Sequence, residues 1–159
     1  MSADSLDELD KEILHLLQID ARNTSPVDMA EQLPVTDTTI RNRIEDMEDR
    51  GIIEGYEPRI NYEQAGFPLR VKFICTAPIQ ERSSLAEKAL ELANVVQVEE
   101  MLTARENVRI LVVTREAEEL NQVSSDIDSL GLSIEKESLV RRTITRPFNH
   151  FGTTEPGDE

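Results

Sequence analysis

The sequence has few of the residues that build crosslinks and metal sites: it contains one cysteine and two histidines. With Cys75 alone, the chain cannot form an intramolecular disulfide, and a zinc site of the Cys/His type is excluded as well. No run of about 20 apolar residues is present, so no membrane span is predicted. The acidic start MSADSLDELD also differs from a basic, apolar signal sequence. We therefore expect a cytoplasmic protein with no membrane partner.

Motifs of enzymatic chemistry are lacking too. The sequence contains no Gly-x-Ser-x-Gly elbow, no phosphate-binding glycine loop and no His-rich metal motif. Adjacent acids such as Glu99 and Glu100 fit an acidic, solvated surface better than a catalytic pair. We expect no catalytic residues, no metal and no cofactor.

Lysine is the next scarce residue: 32 acidic residues face 17 basic ones, of which four are lysines, and the formal net charge is −15. Such a surface is typical of proteins that stay soluble in a very salty cytoplasm, where the Debye length falls to ~3 Å at 1 M salt. The composition therefore predicts a halophilic source. It also predicts a fold that loosens in low salt, because its carboxylates then repel one another.

Two helices are predicted early in the chain. Asp7 is the expected N-cap of the first, which ends near Asn23. Its inward residues at helical spacing are Leu9, Ile13, Leu16 and Leu17. A second helix is predicted from Ser25 through about Gln32, because the serine caps it and the following proline suits the first helical position.

A third helix is predicted between Thr36, its N-cap, and Gly51, which ends it. It follows a tight break at Leu33-Pro34-Val35, and its inward residues are Ile40, Ile44 and Met47. The next residues, Ile52 to Ile60, have the pattern of a short extended wing and hinge. Three short helices, a tight turn and a wing are the components of a winged helix-turn-helix, in which the third helix reads DNA.

In the second half of the chain, apolar residues alternate with polar ones in several segments, as in the strands of a sheet. Alternating apolar residues predict a strand from Leu69 to Ala77, a hairpin of Val95 to Thr103 and Val108 to Thr114, and a last strand from Leu132 to Thr145. Helical spacing predicts two helices, one from Leu85 to Ala93 and one marked by Ala117, Leu120, Val123, Ile127 and Leu130. The second hairpin strand is apolar on both faces, so one face should meet the helices and the other a partner sheet. The order βαββαβ is that of a ferredoxin-like sandwich.

These elements predict an α+β chain in four parts. They are a winged helix-turn-helix DNA-binding domain at 1–60, a hinge at 61–68, a ferredoxin-like dimerisation and effector domain at 69–146, and a frayed acidic tail at 147–159.

The outward face of the third helix carries short polar side chains. At about 100° per residue, Thr38, Thr39 and Asn42 lie opposite the inward isoleucines, and two arginines lie on the flanks. An asparagine amide can contact adenine in a bidentate way, worth ~1–3 kcal/mol of discrimination, and threonine methyls suit the thymine methyl. The arginines are placed for phosphates. The predicted DNA contacts are Thr36, Thr38, Thr39, Arg41, Asn42 and Arg43. The alternative is an ordinary surface of a helical hairpin.

Two runs resemble the Lrp/AsnC (feast/famine) regulators in register: LDELDKEIL at 6–14 and TDTTIRNRIEDMEDRGIIEGY at 36–56. The similarity continues through Asn61 to Gly66 and, more loosely, over the βαββαβ half. It implies a homodimer formed by sheet-to-sheet packing of the C-terminal domains, often assembled further into tetramers or octamers. It also implies a small-molecule effector, usually an amino acid, bound between those domains. Together with the acidic composition, it implies a halophilic archaeon as the source.

Two positions depart from the family pattern. The turn before the recognition helix commonly has glycine where this chain has Pro34, whose φ of about −65° does not allow a left-handed turn residue, so we expect a rebuilt turn. The effector loop usually reads Gly-x-x-Asp where this chain has Ala104-Arg105-Glu106-Asn107. The flexible glycine and the carboxylate that could pair with an α-ammonium group are both lost. The candidate effector residues are Thr103, Ala104, Arg105 and Asn107. Arg105 would favour an anionic ligand, and the alternative is a solvated hairpin turn.

The charge distribution opposes the usual basis of DNA affinity. Residues 1–66 contain 6 basic and 16 acidic residues, and the remainder contains 11 and 16. Counterion release from phosphates should therefore contribute little. We still predict double-stranded DNA as the partner, because the helix pattern and the resemblance are specific whereas net charge is a bulk property. The competing interpretation is a ligand-binding or protein-interaction module whose helix-turn-helix has lost DNA affinity.

Two further features have simpler explanations. Cys75 alternates with inward-facing Val71 and Phe73, so we expect a buried core residue rather than a redox switch. The basic cluster of Arg141, Arg142 and Arg146 fits contact with DNA, contact with a neighbouring subunit or balance of local acids, and we favour the last.

Overall fold

A computed structural model describes residues 5–151. The chain forms two compact units. A helical unit contains the described residues up to Pro58 together with those from Ile144 on, and a sheet unit contains Arg59–Thr143. The units thus change at 58 and 143, close to the sequence-based boundaries at 60 and 146, but the end of the chain groups with the beginning.

The helical unit contains the three predicted helices: α1 (Glu8–Asp20), α2 (Pro26–Ala30) and α3 (Asp37–Asp49). The caps explain why they begin there. Asp7 and Ser25 each accept a bond from the backbone of the third helical residue, whose own carboxylate bonds back to the cap. The first helix ends before Asn23, because the Asp20 carboxylate accepts bonds from the Asn23 backbone and side chain at 3.1 and 2.8 Å.

The core of the helical unit confirms the predicted inward faces of α1 and α3. Its buried residues are Ile13, Leu14, Met29, Ile40 and Met47. Around them pack half-buried residues that include Leu9, Leu16, Leu17 and Ile44. At the end of α3, Gly51 has φ +70°, the left-handed conformation that stops a helix with little strain. The predicted wing, Ile52 to Ile60, pairs with no strand of the described chain.

The sheet unit has the predicted order βαββαβ. Its elements are β1 (Leu69–Thr76), α4 (Arg82–Leu90), β2 (Val95–Glu100), β3 (Val108–Thr114), α5 (Ala117–Ser129) and β4 (Ser133–Leu139). The strands form one antiparallel sheet in the order β2-β3-β1-β4, the ferredoxin-like arrangement. Between residues 5 and 151 the longest helices have 13 residues, and none is long and apolar enough to cross a membrane.

One face of this sheet packs against α4 and α5. Phe73 lies directly opposite Ile110 across β1 and β3, and both are fully buried in the same core as Ile127 of α5. Cys75 lies in the same core with no exposed surface, as predicted, and burial raises the pKa of its thiol to about 12.

The C-terminal part differs from the sequence-based expectation. The last strand ends at Leu139 rather than Thr145, and the ladder closes with a bond from the Val140 N–H to the Arg70 carbonyl at 2.7 Å. The tail predicted to fray from Pro147 instead forms a 3-10 turn, Asn149–Phe151, beside α1. There Phe151 packs against the helical core, because an aromatic side chain gains more from that contact than from solvent. The rest of the predicted tail, 152–159, lies outside the described residues.

Candidate DNA interface

The turn between α2 and α3 is built around Pro34. The N–H groups of Gln32 and Leu33 bond to the Met29 carbonyl at 3.0 and 2.9 Å, and the Val35 N–H bonds to the Leu33 carbonyl at 2.9 Å. A bond over two residues across a proline is an inverse γ-turn, whose central φ of about −75° suits the proline ring. None of these residues has positive φ. This is the rebuilt turn that Pro34 requires.

Thr36 fixes the start of α3. Its side-chain oxygen accepts a bond from the Thr39 N–H at 3.3 Å, and the two threonine hydroxyls lie 3.0 Å apart. The cap therefore engages both hydroxyls, whereas Thr38 between them is exposed and makes no such contact.

The exposed side of α3 carries Thr38, Arg41 and Asn42, opposite buried Ile40 and Met47. The Arg41 guanidinium lies 3.8 Å from the Asp37 carboxylate one turn earlier, and both side chains are about half exposed. A pair of this kind contributes little stability, so Arg41 can turn towards a phosphate at small cost. The structure thus brings three of the predicted contact residues together on one accessible side.

Arg43 has a different environment from the one predicted. Its guanidinium bonds to the carboxylates of Asp7 at 2.6 Å and Asp10 at 3.1 Å, and Asp10 is only 4% exposed. The two carboxylates raise the pKa of Arg43, and Asp7 contributes most. The pKa of Asp7 is lowered, first by the Asp10 backbone N–H and then by Arg43. Arg43 therefore clamps α3 to the start of α1, and a phosphate contact would require it to leave a nearly buried carboxylate.

The two halves of α3 differ in charge, because the single acid of the first turn, Asp37, lies near Arg41. Its second half exposes Glu45, Asp46, Glu48 and Asp49, of which Asp46 pairs with Arg50 at 2.8 Å. Glu48 accepts a bond from the Tyr56 hydroxyl at 3.0 Å; burial of that hydroxyl and then this carboxylate raise the pKa of Tyr56 to about 12. The first half combines Arg41 with the positive end of the helix dipole. The N-terminal half of α3 is therefore the less acidic half of this helix.

The candidate effector loop between β2 and β3 is fixed mainly by Asn107. Its side chain is fully buried, and its amide accepts a bond from the Ala77 N–H at 2.8 Å and donates one to the Ala77 carbonyl at 2.9 Å. Both polar groups of the Asn107 side chain are thus engaged with the end of β1. A ligand role for Asn107 would require these bonds to break, so the geometry favours a structural role.

The tip of the same loop stays exposed. Thr103, Ala104 and Arg105 all face solvent, and the Thr103 hydroxyl bonds to the Arg105 carbonyl at 2.8 Å. Glu106, which is not among the predicted effector residues, adopts φ +51° and pairs with Lys136 of β4 at 2.9 Å. Its backbone N–H also bonds to the Thr76 hydroxyl. The exposed tip is therefore joined to residues, Glu106 and Asn107, that are held in place by bonds to neighbouring strands.

The sheet face opposite α4 and α5 is mixed in character. Half-buried Ile74 and Leu111 lie at its centre, on the two middle strands. Around them lie Arg109, which pairs across the strands with Ile74, and Lys72, whose ammonium is 3.9 Å from the Glu99 carboxylate. An apolar centre with a charged margin is the pattern of a protein–protein contact surface.

Comparison with known proteins covers both units. The model of the AsnC-type helix-turn-helix domain matches residues 6–48. The HTH-type transcriptional regulator LrpA of Pyrococcus horikoshii is 33% identical over 123 residues, which are 76% of this chain and 84% of that protein. The crystal structure of the leucine response regulatory protein (LrpA) of Mycobacterium tuberculosis gives a TM-score of 0.76 at 21% identity, over 92% of this chain and 100% of that one. A transcriptional regulator of Neisseria meningitidis, solved as a complex with L-Met, gives 0.74 at 18% identity, over 90% of this chain and 94% of that one.

Proposed function

The chain belongs to the Lrp/AsnC family of DNA-binding transcriptional regulators, and on that premise we propose that it reads duplex DNA with the first half of α3. In this proposal Thr38, Thr39 and Asn42 meet base edges in the major groove, and Arg41 meets a phosphate. The supporting observation is the exposed polar side of α3, whose positive end lies next to the rigid Pro34 turn. Thr36 orients this end through its cap, and Arg43 positions the helix through its clamp on α1.

Base preference and general affinity should depend on different residues. Asn42→Ala should relax the preference at one base position, at a cost of ~1–3 kcal/mol for the preferred site. Arg41→Ala should weaken binding to all sequences about equally and reduce the dependence of affinity on salt. Asn121→Ala, an exposed asparagine on α5, is the matched control and should change neither property.

The experiment is selection of preferred duplexes from a random library in molar KCl, followed by fluorescence anisotropy with the selected and scrambled sites. Wild-type protein should prefer the selected site. Asn42→Ala should lose part of this preference, and Arg41→Ala should lose affinity for both sites. Equal affinity of the wild type for selected and random duplexes would refute specific DNA recognition. It would favour the rival proposal that the helix-turn-helix serves assembly.

We further propose that two chains form a dimer through the open sheet face around Ile74 and Leu111. This face has the apolar centre that a partner sheet would cover, and such dimers can assemble into tetramers or octamers. Ile74→Arg should shift the sedimentation coefficient from dimer to monomer, because it places a charge in the centre of the contact. Lys88→Glu, at an exposed position of α4, changes charge away from that face and should leave the dimer intact.

An effector, such as an amino acid, is proposed to bind at the exposed loop tip of Thr103, Ala104 and Arg105. The Neisseria meningitidis regulator holds L-Met, and here the arginine would favour a ligand that carries a carboxylate or another anionic group. Thermal shift with a panel of amino acids and their keto acids tests this proposal, with Arg105→Gln as the variant that should lose the effect.

The composition supports a working environment of high salt. In such a medium the repulsion between the acidic helical unit and DNA is screened, so the apparent DNA affinity should fall less steeply with KCl than is usual, or rise. A steep ordinary loss of affinity between about 0.05 and 0.2 M salt would contradict this.

A further inference from the structure

A concave site lies in the sheet unit, formed by residues other than those of the effector loop. It is a cleft of about 550 Å³ whose walls are residues 59–63, 67–68 and 140–143, together with Arg70 at the start of β1. Pockets that hold small molecules commonly have volumes of about 300–1,000 Å³. The cleft is therefore large enough for a metabolite.

The cleft concentrates positive charge in a strongly acidic protein. Four of the chain's 13 arginines line it, namely Arg59, Arg70, Arg141 and Arg142, and the only acidic residue of its lining is Glu63. Outside the cleft, four of the other nine arginines pair with a neighbouring carboxylate: Arg41, Arg43, Arg50 and Arg115. Within the described part of the chain, Arg70, Arg141 and Arg142 form no salt bridge to an acidic side chain.

Balance of local acids, the explanation favoured from the sequence for Arg141 and Arg142, is therefore not what the geometry shows. Like charges brought together in one cleft repel one another, and an acidic protein offers many carboxylates to neutralise them. Three guanidinium groups without such a partner instead leave donors available for an anion from solution.

One wall of the cleft is built by a well-ordered turn. The Asn61 side chain accepts a bond from the Gln64 N–H at 3.1 Å, and the Phe67 N–H bonds to the Tyr62 carbonyl at 2.8 Å. Gly66 closes the turn with φ +93°, which favours glycine. A wall that is already ordered loses little conformational entropy on binding.

We propose that this cleft binds a small polyanion, a ligand with two or more phosphate or carboxylate groups. The planar guanidinium fork donates two parallel bonds to such oxyanions, and several forks together match a ligand with several charges. The half-buried rings of Tyr62 and Phe67 line the same cleft and offer an apolar surface to the rest of the ligand. A concave site of this size suits a small molecule better than the convex backbone of a DNA duplex.

The ligand would also bridge two separate parts of the chain. Residues 59–63 enter the sheet unit directly after the helical unit, and residues 140–143 leave it directly before Ile144. A polyanion bound between residues 59–63 and residues 140–143 would tie both connections together.

The test is isothermal titration calorimetry of the full chain with sodium pyrophosphate and, separately, with citrate. The buffer holds the lowest KCl concentration at which the circular dichroism spectrum stays native. Wild type should bind one anion per chain. The anion with the lower dissociation constant, pyrophosphate or citrate, identifies phosphate or carboxylate as the preferred group. Arg141→Gln/Arg142→Gln removes two exposed cleft charges and should weaken binding by at least about ten-fold. The control, Arg22→Gln/Lys88→Gln, removes two exposed charges elsewhere and should stay within about two-fold of wild type.

Two results would overturn the proposal. The first is that neither anion binds the wild type with saturation; loss of duplex DNA affinity by Arg141→Gln/Arg142→Gln in the anisotropy assay would then identify the cleft as a contact for the DNA backbone. The second is that both double variants lose affinity equally, which would indicate a bulk charge effect. The titrations contain no DNA, so their failure would leave the proposed reading of DNA by α3 intact.

Discussion

Replacing Asn107 with alanine would remove the two hydrogen bonds that join the loop before β3 to the end of β1. Both bonds end on backbone groups of Ala77, which is 1% exposed, so water cannot easily replace the lost partner. An unpaired buried backbone group costs about 1–3 kcal/mol. Asn107→Ala should therefore cost the sheet unit about 2–6 kcal/mol, a large part of the ~5–15 kcal/mol that stabilises a typical domain.

Asn107→Asp is the sharper variant, because it keeps the shape of the side chain and restores the residue that the family pattern has in this loop. The aspartate can still accept the bond from the Ala77 N–H. Its second oxygen, however, would face the Ala77 carbonyl at the position where the amide now donates at 2.9 Å. Two acceptors in contact repel, so this variant should also be destabilised by several kcal/mol at neutral pH, of the order expected for a buried unpaired group.

The assay is urea unfolding in molar KCl, followed by circular dichroism and by hydrogen exchange of the β1 peptide, which reports on the sheet unit alone. Asn121→Ala is the control and should lie within about 0.5 kcal/mol of wild type. A cost below about 1 kcal/mol for Asn107→Ala would refute the structural role. In that case the side chain would be available to an effector, as the sequence had predicted.

Three further results are expected. Asp7→Ala should lower the stability of the helical unit by about 1–2 kcal/mol at pH 7, whereas Glu8→Ala, 86% exposed, should not. The pKa of Asp7 is lowered in the folded state. Its contribution to the free energy of unfolding is therefore present above the ordinary carboxyl pKa and is lost as pH falls through the lowered value. If urea unfolding showed that Asp7→Ala lowers the free energy of unfolding equally at pH 7 and at about pH 2.5, this reasoning would be contradicted. Cys75 should resist iodoacetamide in the native state, because a pKa of about 12 makes its thiolate fraction roughly a thousand-fold lower than that of a free cysteine. If mass spectrometry showed that Cys75 is alkylated as fast in the native protein as in urea, the thiol would not be buried. Phe151→Ala should lower the free energy of unfolding of the helical unit by about 1–2 kcal/mol in urea. Ile144→Ala, at a position 75% exposed, is the control and should be close to neutral. Equal effects of the two variants would show that Phe151 adds nothing to the core.

Local chemistry made most of the fold predictable. The caps at Asp7, Ser25 and Thr36 each act within three residues, so a reader of the sequence can place the start of each helix. Alternation placed β1 and β3 in the same way, because one face of each strand is buried against helices. That the turn at Pro34 is rebuilt was predictable from the fixed φ of the proline ring, set against the glycine of the family pattern.

The features that were missed depend on contacts between distant residues. Arg43 meets Asp7 and Asp10 across 36 and 33 positions, and no spacing rule connects them. Asn107 meets Ala77 across 30 positions, so the loop looked like a solvated turn. The end of β4 could not be placed, because this strand is largely exposed and its polarity does not change where pairing stops.

The turn formed by the C-terminal segment could have been predicted from the sequence. Phe148 and Phe151 lie three positions apart directly after Pro147, and in the structure their rings meet edge to face with centroids 4.9 Å apart. Two aromatic residues at this spacing indicate a helical turn with one apolar side, which argues against a frayed tail.

Because the described chain returns to the helical unit after β4, two peptide connections join the halves of this protein. A protease that cuts between Pro58 and Arg59 would therefore not separate them at once. The nicked molecule would keep residues 144–151 covalently attached to the sheet unit, and packing around Phe151 would still hold the cut helices to this segment. Such a product migrates as one species under native conditions and as two bands in denaturant, and a helical fragment expressed without residue 151 would lack part of its own core.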